Sequence, residues 1–488
     1  MNSSPFFIIV DVLIFLGVLG LAVQAFIGLA FFYSSVWEKE RRATVFAAVQ
    51  FAGMTVLLII FIFLAGRGFF KTSPGMALLI AGYIMVVLAV IFMVRRTAPN
   101  QRALQGTTGY IVGKGHRFDE RMMVFARNRS IRPGSEQYRQ FYTEHPELEK
   151  YDSERRKKGG PLGKIGLIDR PYEGSNVAAA LASISIPVNL CSPEIVKPHS
   201  HPLLNGKSTH LSPQEATTRI KGYATNIGAD LVGITKINPL WIYSHRGEIF
   251  HENWEEWGRE IPADHKFAVI VAHEMSVDMI GPAPHTPSVM ESMKNYAKGA
   301  YISTQLAAFI ANLGYEATAN HLRHYTAILP PLAVDAGMGE VGRLGYLMTK
   351  EFGPRVRLSA VTTNLPLIPD KPVDIGVEDF CKFCKKCATC CPSQSIPLDD
   401  KPKEFNGTLK WKLNDETCFG YWAKTGTDCC ICMKVCPWSH ARTFPHRLIV
   451  WLIARNKYAR RIFSVMDNIF YGRISIPKAA PKWARFKN

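Results

Sequence analysis

Residues 379–393 read Asp-Phe-Cys-Lys-Phe-Cys-Lys-Lys-Cys-Ala-Thr-Cys-Cys-Pro-Ser. Within them, Cys381-x2-Cys384-x2-Cys387-x3-Cys391-Pro392 has the spacing that wraps low-potential iron–sulfur clusters. Three closely spaced thiolates hold one cubane, and the Cys before Pro reaches a second. Downstream, Cys429-x2-Cys432-x3-Cys436-Pro437 repeats the run one ligand short, and Cys418 can supply it. The ligands then close on two 4Fe–4S clusters. Cys381, Cys384, Cys387 and Cys436 serve one, and Cys391, Cys418, Cys429 and Cys432 serve the other. Cys390 and Cys430 remain as small buried neighbours. A pair of zinc sites is the competing use, and the x2-x2-x3-Pro spacing argues against it.

The rest of the chain is read outward from this region. It has 488 residues, 47% hydrophobic and 20% charged, which excludes a disordered protein and leaves room for two or three domains. Eleven Cys, ten of them between Cys381 and Cys436, do not make a secreted disulfide scaffold. The net charge is +18.

Three apolar runs, Phe6–Val36, Thr44–Gly66 and Met76–Val94, are each long enough to span a bilayer core of about 30 Å. The first has no Lys or Arg before it and is too long for a cleavable signal peptide, and no twin-arginine signal is visible. Lys39, Arg41 and Arg42 fill the first loop, and Arg95, Arg96, Arg102, Lys114 and Arg117 follow the third run. The second loop has only Arg67 and Lys71. The positive-inside rule therefore predicts an inner-membrane protein with everything after Val94 in the cytoplasm. The spans contain no His or Cys and cannot ligate a haem or cluster through them. Asp11, Gln24 and Gln50 read as helix–helix hydrogen-bonding groups, with a quinol site at Asp11 as the sharper alternative.

Between anchor and cysteines, residues 101–160 are polar and mixed in charge and read as an arm or linker. Ala178–Val188 suits a packed helix followed by a strand. Ser212–Ile227 reads as a helix with Ser212 as N-cap, Pro213 in the first turn and Gly228 at its end. Asp230–Ile234, Ala268–Ala272 and Arg357–Thr363 read as buried strands, and Ala297–Asn312 as a helix ending at Gly314. Interspersed helices and strands predict an α/β or α+β layered domain.

Gly337-Met338-Gly339-Glu340-Val341-Gly342 matches G-x-G-x-x-G, but no acid stands about twenty residues on. Gly337, Gly339 and Gly342 therefore read as backbone that approaches a large flat cofactor or makes a turn. His321-x2-His324 and His199-x-His201 lack a third ligand at metal-site spacing and read as core or surface histidines.

From about Arg117 to His440 the chain resembles the corrinoid-dependent reductive dehalogenases. The resemblance rests on Phe118-Asp119-Glu120-Arg121, Phe125-Ala126-Arg127, Arg132-Pro133-Gly134-Ser135, Gly228-Ala229-Asp230-Leu231-Val232-Gly233 and Leu313-Gly314-Tyr315. It continues through Ala336-Gly337-Met338-Gly339-Glu340, Gly353-Pro354-Arg355-Val356-Arg357-Leu358, Thr363-Asn364-Leu365-Pro366-Leu367 and both Cys runs. Epoxyqueuosine reductases share the cluster pattern. The resemblance implies an α+β, nitroreductase-like core holding base-off cobalamin beside a ferredoxin-like two-cluster module. It further implies a Tyr that protonates the substrate carbon, which falls on Tyr296, nineteen residues before Tyr315. The basic residue that favours its anion falls on Arg355, with Arg357 as the alternative. Where some members place an Asn, this chain has Leu322, with Asn320 two residues off. Respiratory members are usually exported and dock on a separate membrane protein, whereas this chain has its own three apolar runs.

These readings divide the chain into 1–100 (anchor), 101–215 (arm and start of the body), 216–375 (corrinoid-binding core), 376–440 (two-cluster module) and 441–488 (basic tail). The tail holds eleven Lys/Arg and one acid, and Leu448–Phe470 reads as a basic amphipathic helix on a membrane surface. The expected activity is reductive cleavage of an organohalide. Electrons come from a quinol or a reduced ferredoxin- or flavodoxin-type carrier, membrane lipid is a partner, and a homo-oligomer is left open. An epoxyqueuosine-reductase-like enzyme acting on tRNA is disfavoured by the spans, and no nucleic-acid partner is expected. A membrane electron-transfer protein without its own catalysis is the third reading.

Overall fold

The computed structural model describes residues 5–163, 166, 173–191, 195–201, 204, 210–249 and 254–485. Two compact units emerge. One comprises 1–98 and 441–473, the other 99–440 and 474–488.

The first unit begins with helices α1 (Pro5–Trp37), α2 (Arg41–Gly66) and α3 (Ser73–Val94). All three are long and apolar enough to cross a membrane. Many of their large apolar side chains are exposed, Phe15 and Met85 among the most so. Such helices are stable only where the surroundings are themselves apolar. Thr72 caps α3 by accepting from Gly75 N–H (3.3 Å). Asp11 forms an ion pair with Lys71 (2.9 Å), joining the start of α1 to the loop before α3.

In the second unit, the stretch expected to be an arm is largely helical, with helices at Val124–Ser130, Glu136–Glu144 and Pro146–Lys158. Buried charge replaces apolar periodicity as the packing signal there. Asp152 is fully buried, accepts from Arg127 Nε (2.8 Å), and also pairs with Arg155. The helix α4 (Gly174–Ser185) runs on into a wider helical turn, Ile186–Leu190, in place of the expected strand. Pro187 has no N–H to give a sheet ladder.

The helix α5 (Pro213–Asn226) starts at Ser212, whose hydroxyl accepts from Glu215 N–H (3.3 Å). Glu215 returns the contact from Ser212 N–H (2.9 Å), completing a capping box. Its buried face is Ala216, Ile220 and Ala224, spaced four apart.

Strands β1 (Leu231–Lys236), β2 (Phe267–Glu274), β3 (Ala317–Asn320) and a later strand, β6 (Val356–Thr363), form one sheet in the order β1-β2-β6-β3. Every pair is antiparallel, with Gly233 opposite Ile270 and Ile270 opposite Ala360, which makes the body α+β. The strand β2 is buried on both faces. Ala268, Ile270 and Ala272 point to one core with Leu332 and Ala333, and Val269 and Val271 to another with Ile302, Leu306 and Ile310. Alternation at period 2 with a cover on each side produces that unbroken apolar run.

The covers are α6 (Thr286–Asn312) and α7 (Leu329–Asp335). The expected helix began at Ala297, but α6 starts eleven residues earlier. Its first turns bury polar residues that satisfy one another. The Glu291 carboxylate accepts from Ser276 N–H (2.8 Å) and Asn295 Nδ2 (2.9 Å). Two short strands, β4 (Glu340–Val341) and β5 (Leu347–Met348), lead to β6. Helices α8 (Val377–Cys384) and α9 (Asp415–Thr425) carry cysteines.

The tail divides. Residues 441–473 belong to the first unit and 474–488 to the second. The expected single amphipathic helix is two, α10 (Phe444–Arg455) and α11 (Lys457–Tyr471). The break is Asn456, whose side chain accepts from Tyr458 and Ala459 N–H (2.8 and 3.1 Å) as N-cap of α11.

Candidate redox and catalytic site

The ten clustered cysteines form no disulfide, and all of them except Cys390 line two separate cavities. Cys381, Cys384, Cys387 and Cys436 face one. Cys391, Cys418, Cys429 and Cys432 face the other, where Cys430 also appears. Cys381 and Cys384 come from α8, and Cys418, outside both runs, comes from α9. Ser395 N–H points at Cys391 Sγ (3.3 Å).

The loops carrying these thiols are held in unusual backbone. Lys385, Cys429 and Cys430 all have positive φ, at 52°, 64° and 56°. Side chains there cost about 1–2 kcal/mol each, so the turns need a compensating hold. Arg343 supplies part of it. It is fully buried and donates to the carbonyls of Cys381 (2.7 Å), Pro397 (2.7 Å) and Asp399 (2.7 Å).

Most of these thiols favour the protonated form, and Cys391, held by hydrogen bonds from Ser393 and Ser395, is the exception. Burial, reinforced by the charge of neighbouring cysteines, pushes Cys381, Cys418 and Cys429 up to about 12. Cys387, Cys432 and Cys436 are driven well above their ordinary value for the same reasons. Four such thiolates can share a cavity only around a metal centre that supplies the positive charge. The two sets of donors therefore fit two clusters.

Beside the second cavity lies a polar constellation built by α6 and β6. Arg357, on β6, donates to Ser292 Oγ (2.7 Å) and Asp428 Oδ2 (2.9 Å). Its guanidinium lies over the Tyr296 ring, 5.1 Å from the centroid. Ser292 and Tyr296 are one helical turn apart on α6 and so share a face. Burial pulls the Arg357 guanidinium down, but Tyr296, Cys430, Asp428 and Tyr346 outweigh it, and the group is held above its ordinary value. Burial, with Glu248 adding to it at Tyr325 and Cys418 at Tyr346, lifts both phenols well above normal. Arg357 Nε and Asp428 Oδ1 are buried with no hydrogen-bond partner among the described residues. Buried polar atoms are normally paired, so this corner has capacity for a polar ligand such as a corrinoid.

Arg355 is placed otherwise. It is 1% exposed and donates to Ser439 O (2.8 Å), the Glu274 carboxylate (3.0 Å) and Met275 O. The guanidinium brought to Tyr296 is the alternative, Arg357. Gly337, Gly339 and Gly342 each face protein. An added Cβ would lie 2.3 Å from Lys371 O, 2.0 Å from Met348 O and 2.4 Å from Met348 Sδ respectively. Gly337 also has φ +70°, and the close chain approaches account for the pattern without a ligand. Asn320 closes the loop before Tyr325, its Oδ1 accepting from Thr326 N–H (2.7 Å). His321 and His324 meet edge to face with ring centroids 4.9 Å apart, and burial lowers His321 to about 4. Ser292, Tyr346 and Asp428 had no motif to mark them. Asp428 stands next to Cys429, which is the one available signal.

The antiparallel sheet, its long covering helix and the paired cysteine cavities define a redox body of the reductive dehalogenase type. A solved catabolic reductive dehalogenase in complex with 3-bromo-4-hydroxybenzoic acid superposes with a TM-score of 0.59 at 26% identity, over 78% of this chain and 49% of that one. In sequence, the tetrachloroethene reductive dehalogenase of Sulfurospirillum multivorans is 32% identical over 289 residues, 52% of this chain and 56% of that protein. One from Desulfitobacterium hafniense is 33% identical over 277 residues, 48% and 50% of the two chains. No family model matches. The chain is similar to these reductive dehalogenases, and it spans about half the length of the curated relatives it matches.

Proposed function

We propose that this protein is a membrane-anchored reductive dehalogenase that uses cobalamin and two 4Fe–4S clusters. The observation that carries the reading is the Arg357–Tyr296 stack beside the second cysteine cavity. The net reaction is R–X plus two electrons and one proton giving R–H and halide. Base-off cobalamin supplies, when bound, a strongly reducing metal centre for carbon–halogen cleavage, and the clusters supply single electrons. The residues that would face it are Tyr296, Tyr346, Arg357 and Asp428. Tyr296 gives its hydroxyl proton to the substrate carbon as halide leaves. The Arg357 guanidinium over the ring puts a cation beside the oxygen from which that proton leaves. Ser292 and Asp428 hold that guanidinium over the ring.

The helices α1–α3 form the anchor, with the body on the cytoplasmic face as the arginine distribution predicts. Electrons enter from a quinol or a reduced soluble carrier. The decisive experiment reconstitutes the full chain with cobalamin and iron–sulfur and measures halide release from brominated and chlorinated phenols. Cobalt and about eight irons per chain, with halide release, are the expected result. Clusters and cobalt without halide release from any organohalide would favour an epoxyqueuosine-type reductase. Clusters without cobalt would leave an electron-transfer protein.

A further inference from the structure

We propose that α11 is an interfacial helix that docks on anionic phospholipid at one end of the anchor. Its Lys457 end is tied to the exit of α3. Asn456 Nδ2 donates to the carbonyls of Phe92 (2.6 Å), Met93 (3.2 Å) and Arg95 (3.0 Å), and Thr97 N–H donates to Arg455 O (3.0 Å). Its other end sits between the exit of α1 and the entry of α2. There the Phe470 ring meets Phe31 (5.2 Å) and Phe46 (5.4 Å). Fifteen residues cover roughly 22 Å, so α11 lies across the ends of the apolar helices and not alongside them.

Across that span one face is apolar and exposed. Tyr458, Ile462, Val465 and Ile469 are spaced 4, 3 and 4 apart and are 43%, 41%, 60% and 43% exposed. The stripe continues the outward surface of α3, because the Tyr458 ring packs on Phe92 at 4.9 Å. Exposed bases surround it. Lys457 and Arg461 lie on α11, Lys39, Arg41 and Arg42 before and at the start of α2, and Arg95 and Arg96 after α3. Of the acids at this end Glu38 and Asp467 are buried and Glu40 is half-buried, so the exposed cations outnumber them. An apolar stripe continuous with bilayer-facing surface and bordered by exposed cations matches the headgroup region of an anionic leaflet. The inference rests on α1–α3 being spans.

The test places p-benzoylphenylalanine at Val465 of the full chain, and separately at Leu88 on the outward face of α3 (61% exposed). The protein is irradiated in phosphatidylcholine vesicles with and without phosphatidylglycerol. Lipid adducts at both positions are expected, with the yield at 465 rising several-fold with phosphatidylglycerol and falling with salt. The double variant Lys457→Gln, Arg461→Gln should remove most of that rise. Adducts at 88 with none at 465, or a cross-link from 465 to a second copy or another protein, overturn the proposal and leave the anchor standing. Equal yields at 465 in neutral and anionic vesicles overturn the anionic choice. No lipid adduct at either position overturns the anchor reading itself. None of these readouts depends on turnover.

Discussion

At Tyr296 and its neighbours, chemistry and framework are carried by two arginines that the sequence sets two residues apart. Arg357 covers the phenol, and Arg355 fastens three backbone segments. They should fail differently. Arg357→Gln should cut halide release about 10²-fold or more with cluster content unchanged, and Tyr296→Phe should do the same. Arg355→Gln should instead lower stability by about 1–3 kcal/mol, read as an earlier unfolding midpoint, because it leaves buried acceptors unpaired. Halide release undiminished by Tyr296→Phe would end the proton-donor assignment. Cys418 offers a second residue-level test. Cys418→Ser should reduce iron from about eight to about four per chain, since the other three donors of its set cannot close a cubane.

Single elements show what could be read in advance and what could not. The strand β2 and the helix α5 were legible because period and cap coincide, apolar on both faces in one and Ser212 with Glu215 in the other. Removing that cap by Ser212→Ala should cost about 1 kcal/mol, measured by denaturant midpoint. The first half of α6 was illegible because Glu291, Ser292 and Asn295 look like surface and are instead buried, Asn295 bonded to Glu291 and Ser292 to Asp428 and Arg357. The 101–160 helices were hidden for a related reason, since the buried Arg127–Asp152 pair stands where apolar residues would have signalled packing. The clusters' donors could be grouped from spacing alone. Tyr296 and Arg357 could not, because a helix and a strand far apart in sequence bring them together, and only family resemblance pointed there. The choice between Arg355 and Arg357 needed the start of β6. Arg355 lies just before it, in a turn where its N–H bonds Phe352 O, so strand alternation does not set its direction.

For the molecule as a whole, buried titratable groups set a pH window. Burial, with Lys298 adding to it, depresses His273 from 6.5 to about 3, and burial depresses His321 to about 4. Below pH 6.5 the unfolded chain takes up protons that these folded histidines refuse, so stability falls as pH drops toward 3. The slope is at most about 1.4 kcal/mol per unit for each. Burial raises Glu120 and Glu340 from 4.5 to about 7. Folding holds those protons longer than the unfolded chain does, so their contribution is lost as pH rises from 4.5 to 7. The opposing slopes should place maximal stability between pH 4.5 and 6.5, seen as the highest unfolding midpoint of the holoprotein in detergent. His273→Asn should flatten the acid side, and Glu120→Gln the other.

Asn456 closes α3 and opens α11, and residues 99–440 of the second unit lie between those two helices in chain order. During synthesis α1–α3 precede that stretch, and it is made before the last two helices of the first unit exist. The carbonyls of Phe92, Met93 and Arg95 therefore wait for their partner until residues 99–440 have been made. A chain stalled before that point has its three apolar helices but lacks the two that complete the first unit, so completion of that unit reports that the intervening residues have been made.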